Sequence, residues 1–177
     1  MSTTSWLLIA MLAGAISLGV AMYLFFWVRR QNAGSERARE VARWIREGSS
    51  SYLKKLYSAL ALVAIIIAVI IALVFSFQPG GGQAQAEINP IMGLEVALAF
   101  IAGAICSALA GYMGMSVAVE ANVRSATAAS QSINKAFRVA FYAGAVMGLA
   151  MVGVAIIGMS AIYLWTRNPE VVLGFSF

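Results

Sequence analysis

Residues 106–158 read CSALAGYMGMSVAVEANVRSATAASQSINKAFRVAFYAGAVMGLAMVGVAIIG, two apolar, glycine-spaced segments joined by a polar run. Just ahead of and within the first segment Gly103, Ser107 and Gly111 recur every fourth residue, and in the second Ala140, Gly144 and Gly148 do the same. Fourth-residue spacing lays side chains along one face of a helix. A stripe of small residues on that face lets a second helix approach closely in an apolar setting, so Gly103, Ser107, Gly111, Gly144 and Gly148 are the expected helix-packing positions. The stretch therefore predicts two membrane-crossing helices packed through small side chains.

Working outward, composition sets the class. The chain of 177 residues is 62% hydrophobic and 11% charged, with a mean hydropathy of +0.86. A soluble domain carries about 25% charged residues. An all-α, polytopic transmembrane bundle is expected, with helices at about 6–28, 56–77, 90–117 and 133–165, each long enough to cross roughly 30 Å of hydrocarbon. The apolar tail 171–177 reads as the start of a fifth helix, and residues 1–177 are expected to form the N-terminal part of a single transmembrane domain.

Charge placement gives the topology. Arg29 and Arg30 follow the first span, and residues 29–55 hold eight Lys or Arg against Glu36, Glu40 and Glu47. Residues 78–89 hold no cation. Cations gather on the cytoplasmic side, so 29–55 and 118–132 are expected as cytoplasmic loops, 78–89 as an outer loop, and the N-terminus outside. Within 29–55, charged residues alternate with Ala38, Val41, Ala42 and Ile45 in the pattern of an amphipathic helix at the interface. The net charge of +5 is thus read as topology and anionic lipid contact, with no nucleic-acid partner. Positive charge after an apolar run as long as 6–28 argues for a retained helix over a cleaved signal.

The chain has no Asp and no His, and its seven carboxylates are Glu36, Glu40, Glu47, Glu87, Glu95, Glu120 and Glu170. A metal site or acid/base pair needs convergent oxygen or imidazole groups, so no catalytic, metal-binding or cofactor-binding residue is assigned. Glu95 lies inside the third helix near its start, where it is either a solvated interfacial group or a step in an ion path. Cys106 reads as a small packing residue.

GAICSALAGYMGM (103–115), ANVRSATAA (121–129), INKAFRVAF (133–141) and GAVMGL (144–149) resemble the third and fourth transmembrane helices of the membrane-integral, ion-pumping inorganic pyrophosphatases. IREGSSSYLKKLY (45–57) is similar to that family's stretch before the second helix, with Ser49–Ser51 where alanines are frequent and Leu56 where a glutamate is common. The resemblance spans 45–177. It implies a homodimer of long chains with many more helices than four, hydrolysing magnesium pyrophosphate at the cytoplasmic face and moving H⁺ or Na⁺ outward. The family's Mg²⁺ and pyrophosphate ligands are aspartates and lysines on later helices, so the segment is expected to be a scaffold portion, inactive alone. The competing reading is a stand-alone four-helix membrane subunit with a structural or assembly role; a secondary-transporter fragment has only the glycine-rich helices in its favour. Without a targeting presequence, a prokaryotic plasma membrane is the expected location.

Overall fold

The computed structural model describes residues 3–77 and 90–177; the expected outer loop at 78–89 lies outside the described residues. Five helices follow in order: α1 (Thr3–Arg29), α2 (Glu36–Ser76), α3 (Pro90–Ala129), α4 (Ile133–Thr166) and α5 (Pro169–Ser176). No strand occurs among the described residues. Helices α1 to α4 are each long and apolar enough to cross a membrane.

The spatial order differs from the chain order. α1 packs on α4, α4 on α3, and α3 on α2, while α5 fills the angle between α3 and α4. α1 and α2, consecutive in sequence, lie at opposite edges of this row. Residues 30–35 must therefore step across the end of α3, a reach of at most about 20 Å for six residues. Gly34 makes the crossing. Its φ is +81°, and a Cβ there would fall onto the Thr127 hydroxyl of α3. The Asn32 Oδ1 accepts the Gly34 N–H at 2.8 Å, closing the turn. Gly34→Ala is expected to cost about 1–3 kcal/mol through left-handed strain and the displaced Thr127. An unaltered thermal midpoint in detergent would show that the linker does not follow this path.

Two of the sequence expectations are corrected here. The basic segment within 29–55 is not a loop with a separate interfacial helix; residues 36–55 are the first half of a single 41-residue helix, α2. Ser35 caps it, its side chain accepting the Ala38 N–H, and Glu36 sits in the first turn, where the helix dipole favours an anion. No proline interrupts α2, and a Cβ at Gly48 would meet nothing within 4 Å, so nothing breaks the helix before it turns apolar. Most of the expected loop 118–132 is helical as well, since neither Gly nor Pro falls between Met115 and Lys135 to stop α3. α3 continues to Ala129, and the chain turns within 130–132, where the Ser132 N–H bonds the Ala128 carbonyl. The Ala-rich run before Ser130 offers no helix stop. At 1.5 Å per residue both helices are about 60 Å long, roughly twice the hydrocarbon thickness, so each reaches beyond it.

Two apolar clusters hold the bundle at its ends. At the basic end Val28 of α1 packs with Val117 and Ala121 of α3 and Ala143 and Val146 of α4. Trp27 meets Tyr142 edge-on there, with ring centroids 4.8 Å apart. At the opposite end Val96 and Ala99 of α3 enclose Val171 of α5, with Ile71, Phe75 and Ile162 against them. α5 is set by Arg167, whose left-handed φ of 54° ends α4, and by Asn168, whose side chain accepts the Glu170 N–H at 2.9 Å. Pro169 occupies the first turn of α5, where its missing N–H leaves no bond unmade.

Small residues set the close contacts. α1 and α4 cross at Gly14 and Gly153, where a Cβ on Gly153 would lie 2.9 Å from the Gly14 carbonyl oxygen. Next to it the Ser17 hydroxyl donates to the Leu149 carbonyl at 2.8 Å. This is packing by backbone approach and interhelical hydrogen bonding, as expected where lipid removes the hydrophobic drive between helices.

Candidate functional site at the basic end of the bundle

The described ion pairs all converge on one carboxylate. Glu120 lies near the middle of the basic half of α3, its side chain 15% exposed. Its Oε1 accepts a hydrogen bond from Arg46 Nη2 of α2 at 3.0 Å. Its Oε2 lies 3.3 Å from Arg29 Nε of α1 and 3.8 Å from Arg124 Nη1 one turn on. Neither of those N–H groups is aimed at Oε2, which is buried without a hydrogen-bond partner. One glutamate thus ties three helices together.

Arg124 is oriented by backbone. Its Nη1 donates to the Glu120 carbonyl at 2.7 Å and its Nη2 to the Arg29 carbonyl at 3.3 Å. The second bond places a cation on the carbonyl end of α1, where the helix dipole favours it. The Arg29 guanidinium also sits 5.5 Å over the Phe25 ring, which fixes its approach to Glu120. Three cations around one anion leave the cluster positive. Chemically it can attract anions and lock the register of α1, α2 and α3, but it offers no free base or nucleophile.

The small-residue stripes are used unequally. A Cβ on Gly103 would meet the Phe175 backbone of α5, and one on Gly111 would lie 2.8 Å from the Tyr57 hydroxyl, which donates to the Ala108 carbonyl at 2.9 Å. Ser107, between them, is exposed. Gly144 and Gly148 are also exposed, and a Cβ built on either would meet nothing within 4 Å among the described residues. α4 instead turns Val139, Ala143, Val146, Gly153 and Ser160 inward. The close approaches at Gly14, Gly93, Gly153 and Gly174 carried no sequence signal beyond being glycine. Cys106 is half-buried and unpaired.

Glu95 lies on an exposed face of α3, between Leu94 and the buried Val96, toward the end opposite Glu120. Among the described residues no group of three His, Cys, Asp or Glu could hold a metal ion. Glu120 is committed to arginines and the other described glutamates are dispersed, so the described donor set does not fit a magnesium site.

Comparison with known proteins bears on what such a bundle belongs to. The chain matches the family described as Inorganic H+ pyrophosphatase over residues 15–177. It is 41% identical over 168 residues to a K(+)-insensitive pyrophosphate-energized proton pump of Methanosarcina mazei, covering 95% of this chain and 23% of that protein. A second proton pump of that description, from Moorella thermoacetica, is 36% identical, covering 93% of this chain and 23% of its own length. A Clostridium tetani protein, provisionally named a K(+)-stimulated pyrophosphate-energized sodium pump, is 38% identical, with 97% of this chain and 23% of the relative covered. The chain spans about a quarter of the length of these relatives. The match runs through all five helices, including the Glu120 cluster and the α4–α5 turn, and on it the chain is placed as an integral membrane protein belonging to the inorganic H⁺ pyrophosphatase family.

Proposed function

We propose that this chain is the scaffold portion of an ion pump that couples hydrolysis of inorganic pyrophosphate to transport of H⁺ or Na⁺. The observation that carries the reading is the family match across nearly the whole chain, joined to its coverage of only about a quarter of each relative. The residues in hand support packing and charge placement, and the carboxylates needed for metal-assisted attack on pyrophosphate are not gathered among them. Magnesium would then be held by residues outside this chain, and the working form would be a homodimer.

The orientation that fits the charge distribution puts the Glu120 cluster, Arg29, Arg30 and the projecting parts of α2 and α3 in the cytoplasm, with the N-terminus outside. A prokaryotic plasma membrane suits that arrangement. The open face of α4 at Gly144 and Gly148 would be covered by further helices of the pump, as a small-residue stripe allows.

The test is the intact mass of the protein in its source membrane, together with pyrophosphate hydrolysis by this chain alone in vesicles with Mg²⁺. A mass several times 18.7 kDa and no hydrolysis by the isolated chain are expected. A native mass of 18.7 kDa, or hydrolysis by the chain alone, would overturn the scaffold reading. For Glu95, exposed on α3, Glu95→Gln in the full-length protein is expected to leave the ratio of ions moved to pyrophosphate hydrolysed within about twofold, since an interfacial carboxylate can reach water. A collapse of that ratio would place Glu95 in the ion path.

A further inference from the structure

A cavity of about 240 Å³ opens at the basic end between the last turn of α1 and the α3–α4 turn. Arg124, Lys135 and Arg138 line it, together with Asn32 and Trp27, and no carboxylate does. Glu120, the anion paired with Arg124, is not among the lining residues.

The donors around this cavity are only partly spent: both Arg124 Nη groups donate to backbone carbonyls, but other N–H groups remain. The Arg124 Nε is buried and has no hydrogen-bond partner. Arg138 makes no hydrogen bond or ion pair among the described residues, and Lys135 donates one bond, to the Gln131 side chain at 3.3 Å, which leaves two N–H groups. Asn32 uses its Oδ1 to accept the Gly34 N–H, so its amide group remains free to donate toward an anion. One wall is rigid and apolar, because Trp27 is held edge-on against Tyr142.

Arg124 is paired with Glu120 behind the cavity wall, but Lys135 and Arg138 have no carboxylate partner among the described residues, and their mutual repulsion is relieved when an anion enters. Guanidinium forks match the oxygens of a phosphate, and an ammonium adds a point charge. We propose that this cavity binds a phosphate group of net negative charge, supplied either by the headgroup of an anionic lipid or by a free phosphate. The apolar Trp27 wall and the position beside membrane-crossing helices suit the glycerol and chain of a lipid; the open polar mouth suits a free anion. The inference rests on the geometry of this chain and not on the pump reading, and its readout is binding, not activity.

The experiment uses the full-length protein, stripped of lipid in neutral detergent and followed by native mass spectrometry. Dioleoyl phosphatidylglycerol, dioleoyl phosphatidylcholine and inorganic phosphate are titrated separately, and phosphate is then added against bound phosphatidylglycerol. Parent protein is expected to hold one phosphatidylglycerol well above phosphatidylcholine. Lys135→Gln with Arg138→Gln is expected to weaken that site roughly thirty-fold, the combined effect of two cations near a phosphate surface. Arg37→Gln, a cation outside the cavity, should change it less than about threefold. Arg138→Lys keeps the charge and loses the fork, and should weaken binding by about three- to tenfold even if the double variant fails to fold.

Retention of phosphatidylglycerol against millimolar phosphate assigns the headgroup as the source, whereas occupancy by inorganic phosphate assigns the free anion; both uphold the cavity. Equal affinities of the parent and Arg138→Lys proteins for both probes would overturn it.

Discussion

Gly153→Leu is expected to separate α1 from α4 and to remove most of the folded, detergent-stable protein. The built Cβ stands 2.9 Å from the Gly14 carbonyl oxygen and 2.8 Å from Leu18 Cγ, so a leucine there meets backbone as well as a side chain. Overpacking that side chains can absorb costs about 1–3 kcal/mol. A carbonyl in a membrane helix cannot rotate aside without breaking its own hydrogen bond, and parting the helices also breaks the bond from Ser17 to Leu149. The expected loss is therefore above about 3 kcal/mol, enough to deplete the native state. Gly148→Leu provides the contrast, because a Cβ built there meets nothing within 4 Å among the described residues and the α1–α4 seam is untouched. Thermal unfolding of both variants in detergent decides the matter, and a Gly153→Leu midpoint within about a degree of the parent would contradict the close approach.

Glu120→Gln is expected to lower the thermal midpoint by several degrees while leaving the helical content intact. The substitution keeps shape but removes the one negative charge among Arg29, Arg46 and Arg124. Breaking a fully buried ion pair costs about 3–5 kcal/mol. Here Arg29 and Arg46 are 53% and 63% exposed, so solvent screens much of that, and about 1–3 kcal/mol remains. For a chain of this length that corresponds to roughly 2–10 °C. Glu120→Asp, charged but one methylene shorter, should fall between parent and Glu120→Gln. Identical midpoints for Glu120→Gln and parent, at low salt, would mean that the cluster holds nothing.

Hydropathy alone made the four spans visible, because a helix has to be apolar over the length that lies within the hydrocarbon. Where those helices stop was less legible. The change from apolar to charged at residue 55 marks a change of surroundings, not of secondary structure, and α2 passes through it unbroken. For the same reason Glu120 read as a loop residue, although it stands on α3 facing two other helices. The fourth-residue spacing picked out faces of small residues, and Gly103 and Gly111 do meet neighbours, but spacing does not name a partner. With 16 glycines in the chain, nothing in the sequence distinguishes Gly14 and Gly153, which touch, from Gly144 and Gly148, where a built Cβ meets nothing within 4 Å among the described residues. The role of Gly34 was hidden because it depends on Thr127, far away in sequence.

The row order α1, α4, α3, α2 also imposes a schedule on biosynthesis. α1 enters the bilayer while its partner does not yet exist, since roughly 140 more residues must be made before Gly153 appears. At about 5–20 residues per second that is on the order of ten seconds. During this interval α1 has neither α4 to lean on nor Glu120 to bind, and under the proposed orientation Arg29 and Arg30 would help to hold it in place. Arg29 is then employed twice. Under the proposed orientation it would first be a charge retained on the cytoplasmic side, and once α3 has been made it is the anchor that fastens α1 to the bundle through Glu120.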